Sequence, residues 1–271
     1  MQRPCYCNCM KKLDIKNPFN APVYYEEHVT STMDAARSLA VNGEPHGAVI
    51  LAGSQEHGRG RQGRSWIAGA GEALMFTVIL EYPDYSAIPA ALTLKAGLAA
   101  ALAIEELIPL IKGEVKIKWP NDVMIGNRKA AGILAEADGR NVYIGIGINM
   151  TQKEFPAEYR SRAVSLVQIF PDLRKNSDLI LLEKILFHLY GAINNSGIIN
   201  DPGKWKDEIL ERLYKRGETV SFAQGPADSQ CMITGILSGI GGGGELLLIP
   251  EGGTEQAFFN GELRVYEEKC F

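Results

Sequence analysis

Residues 58–66 concentrate glycine and positive charge in a pattern that suits anion binding. They read GRGRQGRSW, with Arg59, Arg61 and Arg64 set between glycines. Glycine lets a backbone lie close to a ligand, and guanidinium groups present forked donors to phosphate or carboxylate oxygens. No Gly-Lys-Ser/Thr follows at the spacing of a P-loop. The segment therefore predicts a phosphate-binding loop, with a solvated loop or an RGG-like nucleic-acid-binding segment as the alternatives.

A second segment places polar groups at the ends of predicted strands. Residues 118–123 read KWPNDV, so Asn121 and Asp122 fall in a proline-induced turn that faces a cleft. Asp122 is a candidate ligand of hydrated Mg²⁺. Lys129 begins an otherwise apolar strand, and its ammonium is expected to face a ligand. Each of these residues, taken alone, is better read as an ordinary turn residue or a surface lysine.

A third segment, GIGINM at residues 145–150, is a glycine-spaced strand that ends in Asn149. The amide of Asn149 is able to read the edge of a nucleotide base. Taken alone, this pattern is too common to assign a function, so its weight comes from its order after the other two segments.

These segments are joined by a mixed pattern of helices and strands. Helices are predicted at 34–40, which Ser31 and Thr32 cap, and at 87–108, 179–193 and 205–214. Strands are predicted at 47–52, 73–81, 115–119, 130–137 and 142–148, with residues 53–71 as a long loop. Turn residues at 126–127 and 138–139 favour antiparallel neighbours. The pattern predicts an α/β (α+β) domain with a mixed or antiparallel sheet.

After Arg216 the pattern changes to short β-prone runs broken by glycine clusters, which is typical of a small β-barrel. The chain is therefore divided into a poorly ordered leader at 1–24, a catalytic domain at 25–215 and a small β domain at 216–271. Cys5, Cys7 and Cys9 in the leader supply only three ligands, so an unstructured leader is favoured over a soft-metal site.

The composition is that of a folded soluble protein, with 46% hydrophobic and 22% charged residues. The net charge of −4 provides no overall positive field toward nucleic acid or membrane surfaces. No apolar run approaches the roughly 20 residues needed to cross a bilayer, and residues 1–20 lack the apolar core of a signal peptide. We expect a cytoplasmic protein without membrane association, as a monomer or homodimer.

Taken together and in this order, GRGRQGRSW, KWPND, KAAGILAE and GIGINM resemble the motifs of the biotin protein ligases, which are GRGRxGRxW, KWPND, K-x-AGIL and GxGINM. Ser31 and Thr32 fit the family's upstream Ser-Thr-Asn motif. Gln55 stands where the family has a glutamine before the glycine- and arginine-rich segment 58–66, which we call the arginine loop. The resemblance covers about residues 25–266. It implies a class II synthetase-like catalytic domain with a mixed or antiparallel sheet, followed by an SH3-like barrel.

The resemblance also implies a role for each site residue. The groups expected to bind biotin are Ser31, Thr32, Met33 and Gln55, together with Arg59, Gly60, Arg61 and Lys129. The catalytic groups, which would face the biotin carboxylate and the phosphates, are Lys129, Arg59, Arg61 and Asp122. The groups expected to bind ATP are Arg64, Trp66, Asn121, Asp122 and Asn149, with Asp122 as the Mg²⁺ ligand.

The implied reaction joins biotin and ATP into biotinyl-adenylate, then transfers biotin to a lysine of a biotin carboxyl carrier protein. A lipoate or octanoate ligase is the nearest alternative, although the RRxSGGG-type loop of those relatives is absent. A non-catalytic biotin-binding regulator is a second alternative, which the presence of Lys129 disfavours. An RNA-binding protein is a third, and it conflicts with the pI of 5.7.

Two features depart from the family pattern. Met33 stands where the family has asparagine, which puts one biotin contact, or the selectivity that it provides, in doubt. Thirty residues precede Ser31, too few for the helix-turn-helix domain of some relatives. The resemblance is therefore to the form without that domain, and no sequence-specific DNA binding is expected.

Overall fold

A computed structural model of the chain describes residues 10–174, 176–194, 203–225 and 231–264. The strands of the larger sheet are β1 Lys11–Leu13, β2 Val23–Val29, β3 Val49–Gln55, β4 Ala73–Glu81, β5 Val115–Lys118, β6 Asp122–Ile125, β7 Arg128–Asp138 and β8 Asn141–Asn149. These eight strands are arranged in the order β1-β2-β3-β4-β8-β7-β6-β5. Strands β2 and β3 are parallel, whereas the other neighbours are antiparallel, so the sheet is mixed as predicted.

The helices cover the two faces of this sheet unequally. They are α1 Thr32–Val41, α2 Leu92–Leu107, α3 Leu166–Ile169, α4 Ser177–Asn194 and α5 Lys204–Arg212. Helix α2 packs against α4, α5 and strands β5 to β7 on one face, and α1 packs against β3, β4 and β8 on the other. Successive strand residues point to opposite faces. Accordingly, Ile133 belongs to the core shared with α2, and its neighbour Leu134 packs against the smaller core beneath α1.

The expectation that no apolar segment is long enough to cross a membrane is wrong for the segment that contains helix α2. The segment Tyr85–Leu107 has 23 residues and is long and apolar enough to do so by length and composition. Because 67% of its most apolar window is buried inside the protein, its apolar character is explained by core packing. Helices of this kind are expected at the centre of large domains.

A second sheet is formed by β9 Thr219–Gln224, β10 Cys231–Ile240, β11 Leu246–Pro250, β12 Gln256–Phe258 and β13 Glu262–Arg264. It is antiparallel, in the order β12-β11-β10-β9-β13. Phe222 is fully buried in it and lies 4.8 Å from the Phe258 ring, centroid to centroid. The predicted fold class, a mixed α/β unit with a small C-terminal β unit, is confirmed. The domain boundary at residue 216 stays a prediction.

Residues 10–24 are ordered, whereas we predicted a poorly ordered leader at 1–24. Strand β1 pairs with β2, and Asn17 Nδ2 donates to the carbonyl oxygens of Ala21 and Gly47 at 2.9 and 2.8 Å. These backbone and amide contacts order the segment. Cys5, Cys7 and Cys9 lie outside the described residues.

Strand β3 is also longer than predicted. Its parallel pairing with β2 continues to Val29 and Gln55, so the long loop begins at Glu56. The short strand β6 was not predicted, because its apolar part is only three residues long and follows the turn residues.

The contact between α2 and α4 contains a buried histidine. His188 is 3% exposed, and its Nε2 lies 2.9 Å from Glu106 Oε1. Burial lowers the pKa of His188, although the Glu106 carboxylate opposes this effect. Burial raises the pKa of Glu106, but hydrogen bonds from Lys184 and His188 outweigh it and lower that pKa overall.

This cluster predicts that the free energy of unfolding falls as the solution is acidified. Folding lowers the pKa of His188, so the unfolded state binds a proton more readily than the folded state does. The contribution of His188 to the free energy of unfolding is therefore complete above about pH 6.5 and is lost as the pH falls below that value. The lowered pKa of Glu106 also makes the free energy of unfolding fall on acidification, but at a lower pH. We expect His188→Gln to reduce the fall between pH 7 and pH 5, measured by urea unfolding. An unchanged pH dependence in this variant would contradict the assignment.

Candidate active site

The first predicted residues meet at the N-terminus of α1. Ser31 caps the helix by accepting a hydrogen bond from Met33 N at 3.3 Å. Gln55 Oε1 accepts from Thr32 N at 2.8 Å and from Thr32 Oγ1 at 3.1 Å. Thr77 Oγ1 in turn donates to Thr32 Oγ1 at 2.9 Å. A small polar cluster thus lies on the α1 face of the sheet, with donors and acceptors suited to an amide-like ring.

Met33 is part of the apolar core beneath α1 and is 3% exposed. A Cβ atom on Gly145 would lie 2.8 Å from its Sδ, so the two residues are in close contact. A second thioether, that of Met75, accepts from Gln55 Nε2 at 3.3 Å. The surroundings of the polar cluster are therefore more apolar than an asparagine at position 33 would make them.

The arginine loop forms a compact hairpin over the sheet. Trp66 N donates to Gly58 O at 2.9 Å, and Gly60 N donates to Arg64 O at 2.7 Å. Its tip is a short 3-10 turn in which Gln62 and Gly63 have φ of 55° and 73°. Glycine adopts this left-handed conformation without steric cost, which explains one of the loop's glycines.

The loop forms most of the wall of a cavity of about 770 Å³, which Leu134 and Glu136 of β7 complete. A cavity of this size suits a small organic ligand. A smaller cavity of about 340 Å³ lies between α2, β7 and the second sheet. It contains none of the predicted site residues.

Arg59 lies at the mouth of the larger cavity within an ion-pair network. Its Nη2 is 2.8 Å from Asp34 Oδ1 and 3.8 Å from Glu136 Oε2. Arg37 Nη2 contacts the same Glu136 oxygen at 2.6 Å. The sequence analysis did not assign Asp34, Arg37 or Glu136, because nothing in the sequence shows that α1, the loop and β7 meet here.

Arg61, in the turn at the tip of the loop, contacts Asn121. Arg61 Nη1 is 3.5 Å from Asn121 Oδ1, and Asn121 Nδ2 donates to Ile133 O at 2.6 Å. Burial lowers the pKa of Arg61, with the carboxylates of Asp122 and Glu262 opposing. An arginine remains charged at neutral pH despite such a shift. Arg61 is therefore a partly desolvated cation.

Arg64 makes a bidentate ion pair with Glu262 of β13. Its Nη1 donates to Glu262 Oε1 at 2.8 Å, and its Nη2 contacts Oε2. The hydrogen bond from Arg64 lowers the pKa of Glu262. The second sheet thus supplies a carboxylate to the candidate site, which the sequence analysis did not assign.

Lys129 and Asp122 form another ion pair of the site. Lys129 Nζ lies 2.6 Å from Asp122 Oδ1, and 5.7 Å from the centroid of the Trp66 ring. Within the described ranges, no group of three or more His, Cys, Asp or Glu side chains is arranged to hold a metal. Mg²⁺ that retains water and phosphate ligands requires only one or two carboxylates, so Asp122 fits such an ion.

Lys118 is a further cation that the sequence analysis quoted without assigning a role. Burial lowers its pKa, while the carboxylates of Asp122 and Glu262 oppose. Electrostatic contacts link four cations and two carboxylates in this region: Arg61, Arg64, Lys118, Lys129, Asp122 and Glu262. Positive charge is in excess, which favours a polyanionic ligand.

Asn149 is placed differently from the expectation that it reads a base edge. It is 5% exposed, and its Nδ2 donates to Lys129 O and Val164 O, both at 3.2 Å. Its Oδ1 accepts from Gln152 Nε2 at 3.3 Å. Both ends of the amide already have protein partners, so its observed role is to join β8 to the start of β7. Base recognition by Asn149 stays a prediction.

The chain is similar to ligases in three comparisons. Residues 25–149 match the model of the biotin/lipoate A/B protein ligase family. The biotin--[acetyl-CoA-carboxylase] ligase of Paracoccus denitrificans is 30% identical over 231 residues, which are 79% of this chain and 91% of that protein. The biotin protein ligase from Aquifex aeolicus, solved in complex with biotin and ATP, superposes with a TM-score of 0.74 at 27% identity, covering 90% of this chain and 98% of that one.

A longer relative matches only in part. The bifunctional ligase/repressor BirA of Bacillus spizizenii is 39% identical over 152 residues, which are 53% of this chain and 46% of that protein. The chain therefore spans about half the length of this relative.

Proposed function

The chain belongs to the biotin/lipoate A/B protein ligase family, and from this premise we propose that it is an ATP-dependent biotin protein ligase. The observation that carries the proposal is the arrangement around the larger cavity. The Thr32 and Gln55 cluster lies at the start of α1, Arg61 belongs to the loop that lines the cavity, and Lys129 lies beside Trp66 at the end of that loop. A ligand with a polar ring and a carboxylate matches this combination of a polar cluster and fixed cations.

In the first step, a carboxylate oxygen of biotin forms a bond to the α-phosphorus of ATP, and the bond from that phosphorus to pyrophosphate breaks. Negative charge is crowded between the two anions as they approach. Lys129 and Arg61 would stabilise that charge, and Arg64 and Lys118 would hold the phosphates. Mg²⁺, held by Asp122 and the phosphates, would neutralise part of the triphosphate charge.

In the second step, the neutral amine of a carrier lysine attacks the carbonyl carbon of biotinyl-adenylate. An amide forms, AMP leaves with the former carboxylate oxygen, and the amine releases a proton. The loop would exclude water from the mixed anhydride, which is readily hydrolysed. We propose a biotin carboxyl carrier protein as the acceptor, by analogy with the relative named as a ligase of acetyl-CoA carboxylase. Cytoplasmic location and a monomeric or homodimeric state stay predictions.

The proposal predicts exchange of labelled pyrophosphate into ATP that depends on biotin. The assay is run in parallel with biotin, lipoate and octanoate, because the family model includes lipoate ligases. We expect exchange with biotin but not with lipoate or octanoate. Exchange with lipoate but not biotin would overturn the choice of substrate, and binding of biotin without exchange would indicate a non-catalytic protein.

A further inference from the structure

Trp66, the last residue of the arginine loop, occupies a slot formed by two strand glycines. Gly132 of β7 and Gly147 of β8 are paired in register. A Cβ atom on Gly147 would lie 2.5, 2.7 and 2.9 Å from three ring atoms of Trp66. A Cβ atom on Gly132 would lie 3.2 Å from a fourth ring atom. No side chain larger than hydrogen fits at Gly147 while the indole is in place.

These glycines are required for space and not for an unusual backbone conformation. Neither Gly132 nor Gly147 has a positive φ, in contrast to Gly63. Glycine within a strand interior weakens the strand, so its presence often marks a close approach by another group. Here the approaching group is the indole. Its Nε1 is buried and has no hydrogen-bond partner among the described residues.

The slot also places the end of the loop beside the principal cation of the site. A Cβ atom on Gly132 would lie 2.8 Å from Lys129 Nζ, and that ammonium lies 5.7 Å from the Trp66 ring centroid. The same pair of glycines therefore accommodates both the indole and the lysine. A cation near an aromatic face is attracted to it, which couples the positions of Lys129 and Trp66.

We propose that Gly147 is a positioning residue, whose missing side chain seats Trp66 and so holds the arginine loop closed over the cavity. With the indole seated, the backbone hydrogen bond from Trp66 to Gly58 fixes the base of the hairpin that carries Arg59, Arg61 and Arg64. The catalytic consequence rests on the proposed function. The claim that Gly147 seats the loop does not rest on it. Loop seating and catalysis are therefore tested separately.

The test of seating is the rate of trypsin cleavage after Arg59, Arg61 and Arg64 in the protein without added ligand. We expect Gly147→Ala to raise this rate on the order of tenfold, because the added methyl group expels the indole and increases the open population. Gly97→Ala is the matched control. It adds a methyl group to helix α2, which packs on the opposite face of the sheet. The added Cβ atom would be in ordinary contact with Ile133 and Ile117 at 3.7 and 3.8 Å, so the cleavage rate should not rise.

A double-mutant cycle with Trp66→Ala separates seating from general damage to β8. If the methyl group acts by clashing with the indole, Gly147→Ala has no further effect on cleavage in the Trp66→Ala background. An effect of the same size in both backgrounds, or no effect in the parent, overturns the proposal. If Gly147→Ala alone fails to fold, recovery of folding in the double variant supports the proposal, and failure of both variants contradicts it.

Activity supplies a second measurement. In biotin-dependent pyrophosphate exchange, Gly147→Ala should raise the KM for ATP about tenfold while the KM for biotin changes less than about threefold. This split is expected because Trp66 and Arg64 are assigned to ATP alone. Four of the residues assigned to biotin lie outside the displaced loop, in α1, its cap and β3: Ser31, Thr32, Met33 and Gln55. Equal changes in both KM values would contradict the positioning role. If the parent shows no exchange, the proposed function fails, while the cleavage result still decides the role of Gly147.

Discussion

Replacement of Lys129 by alanine is expected to lower the rate of biotin-dependent pyrophosphate exchange by about two orders of magnitude or more. Its ammonium lies beside Asp122 and next to Trp66, where it would meet the carboxylate and the α-phosphate as they approach. Loss of one such fixed cation typically costs about 3 kcal/mol of transition-state stabilisation. The measurement is the initial exchange rate at saturating biotin and ATP.

The matched control is Lys116→Ala, which removes a half-buried lysine of β5 whose Nζ donates to Glu211 O at 3.4 Å, and it should leave exchange within about twofold of the parent. Lys129→Ala should still fold, because the Lys129 side chain is 35% exposed and an ion pair at that exposure contributes little to stability. A variant that melts far below the parent, yet retains its activity per folded molecule, would show that Lys129 is structural.

The second large effect is protection of the arginine loop by the reaction intermediate. Biotin plus ATP should slow trypsin cleavage after Arg59, Arg61 and Arg64 by about tenfold or more, because ligand binding lowers the open population. Ordering a backbone costs roughly 1 to 2 kcal/mol per residue, so closing ten residues costs on the order of 10 kcal/mol. Partly exposed ion pairs of Arg59 and Arg64, together with the seated indole of Trp66, offset part of this cost in the protein without ligand. Contacts with the intermediate are expected to lower the open population further.

Cleavage after Arg140 is the internal control, because this residue is 66% exposed in the turn between β7 and β8 and lies outside the loop. Its rate should not depend on ligand. Equal cutting of the loop with and without biotin plus ATP would mean that the loop does not close over the intermediate. The roles proposed for the three arginines would then be withdrawn.

Local patterns predicted the elements that a single stretch of sequence determines. Strand β4 has the predicted bounds, because eight of its nine residues are buried and the run is uninterrupted. The start of α2 was placed five residues too early. Asp84 instead caps a short 3-10 turn, and Ala91, with a φ of 57°, precedes the helix. A residue in the left-handed conformation cannot continue a helix. Pro89, which lies within the predicted range, is the residue that indicates a later start, because proline disfavours the helical conformation of the residue before it.

The candidate site was predictable where its residues lie in motifs, and not where it depends on long-range contacts. Thr32 and Gln55, both assigned to biotin from the sequence, are hydrogen-bonded to each other. Lys129 and Asp122, both assigned to the reacting groups, form an ion pair. Glu262 was missed because it is 198 residues from Arg64 and belongs to the other sheet. Asn149 is 5% exposed and its Nδ2 donates to two backbone carbonyl oxygens, contacts that its motif does not reveal, and its binding to a base edge stays a prediction.

The separation between Arg64 and Glu262 also bears on the order in which the molecule folds. In an unfolded chain, a bond between groups 198 residues apart closes a very long loop, whose entropic cost grows with the logarithm of its length. An ion pair in which the arginine side chain is 59% exposed is too weak to offset that cost. The pair therefore forms only after both sheets have folded and met. The arginine loop is thus anchored in the last stage of folding, and early folding intermediates would lack this anchor.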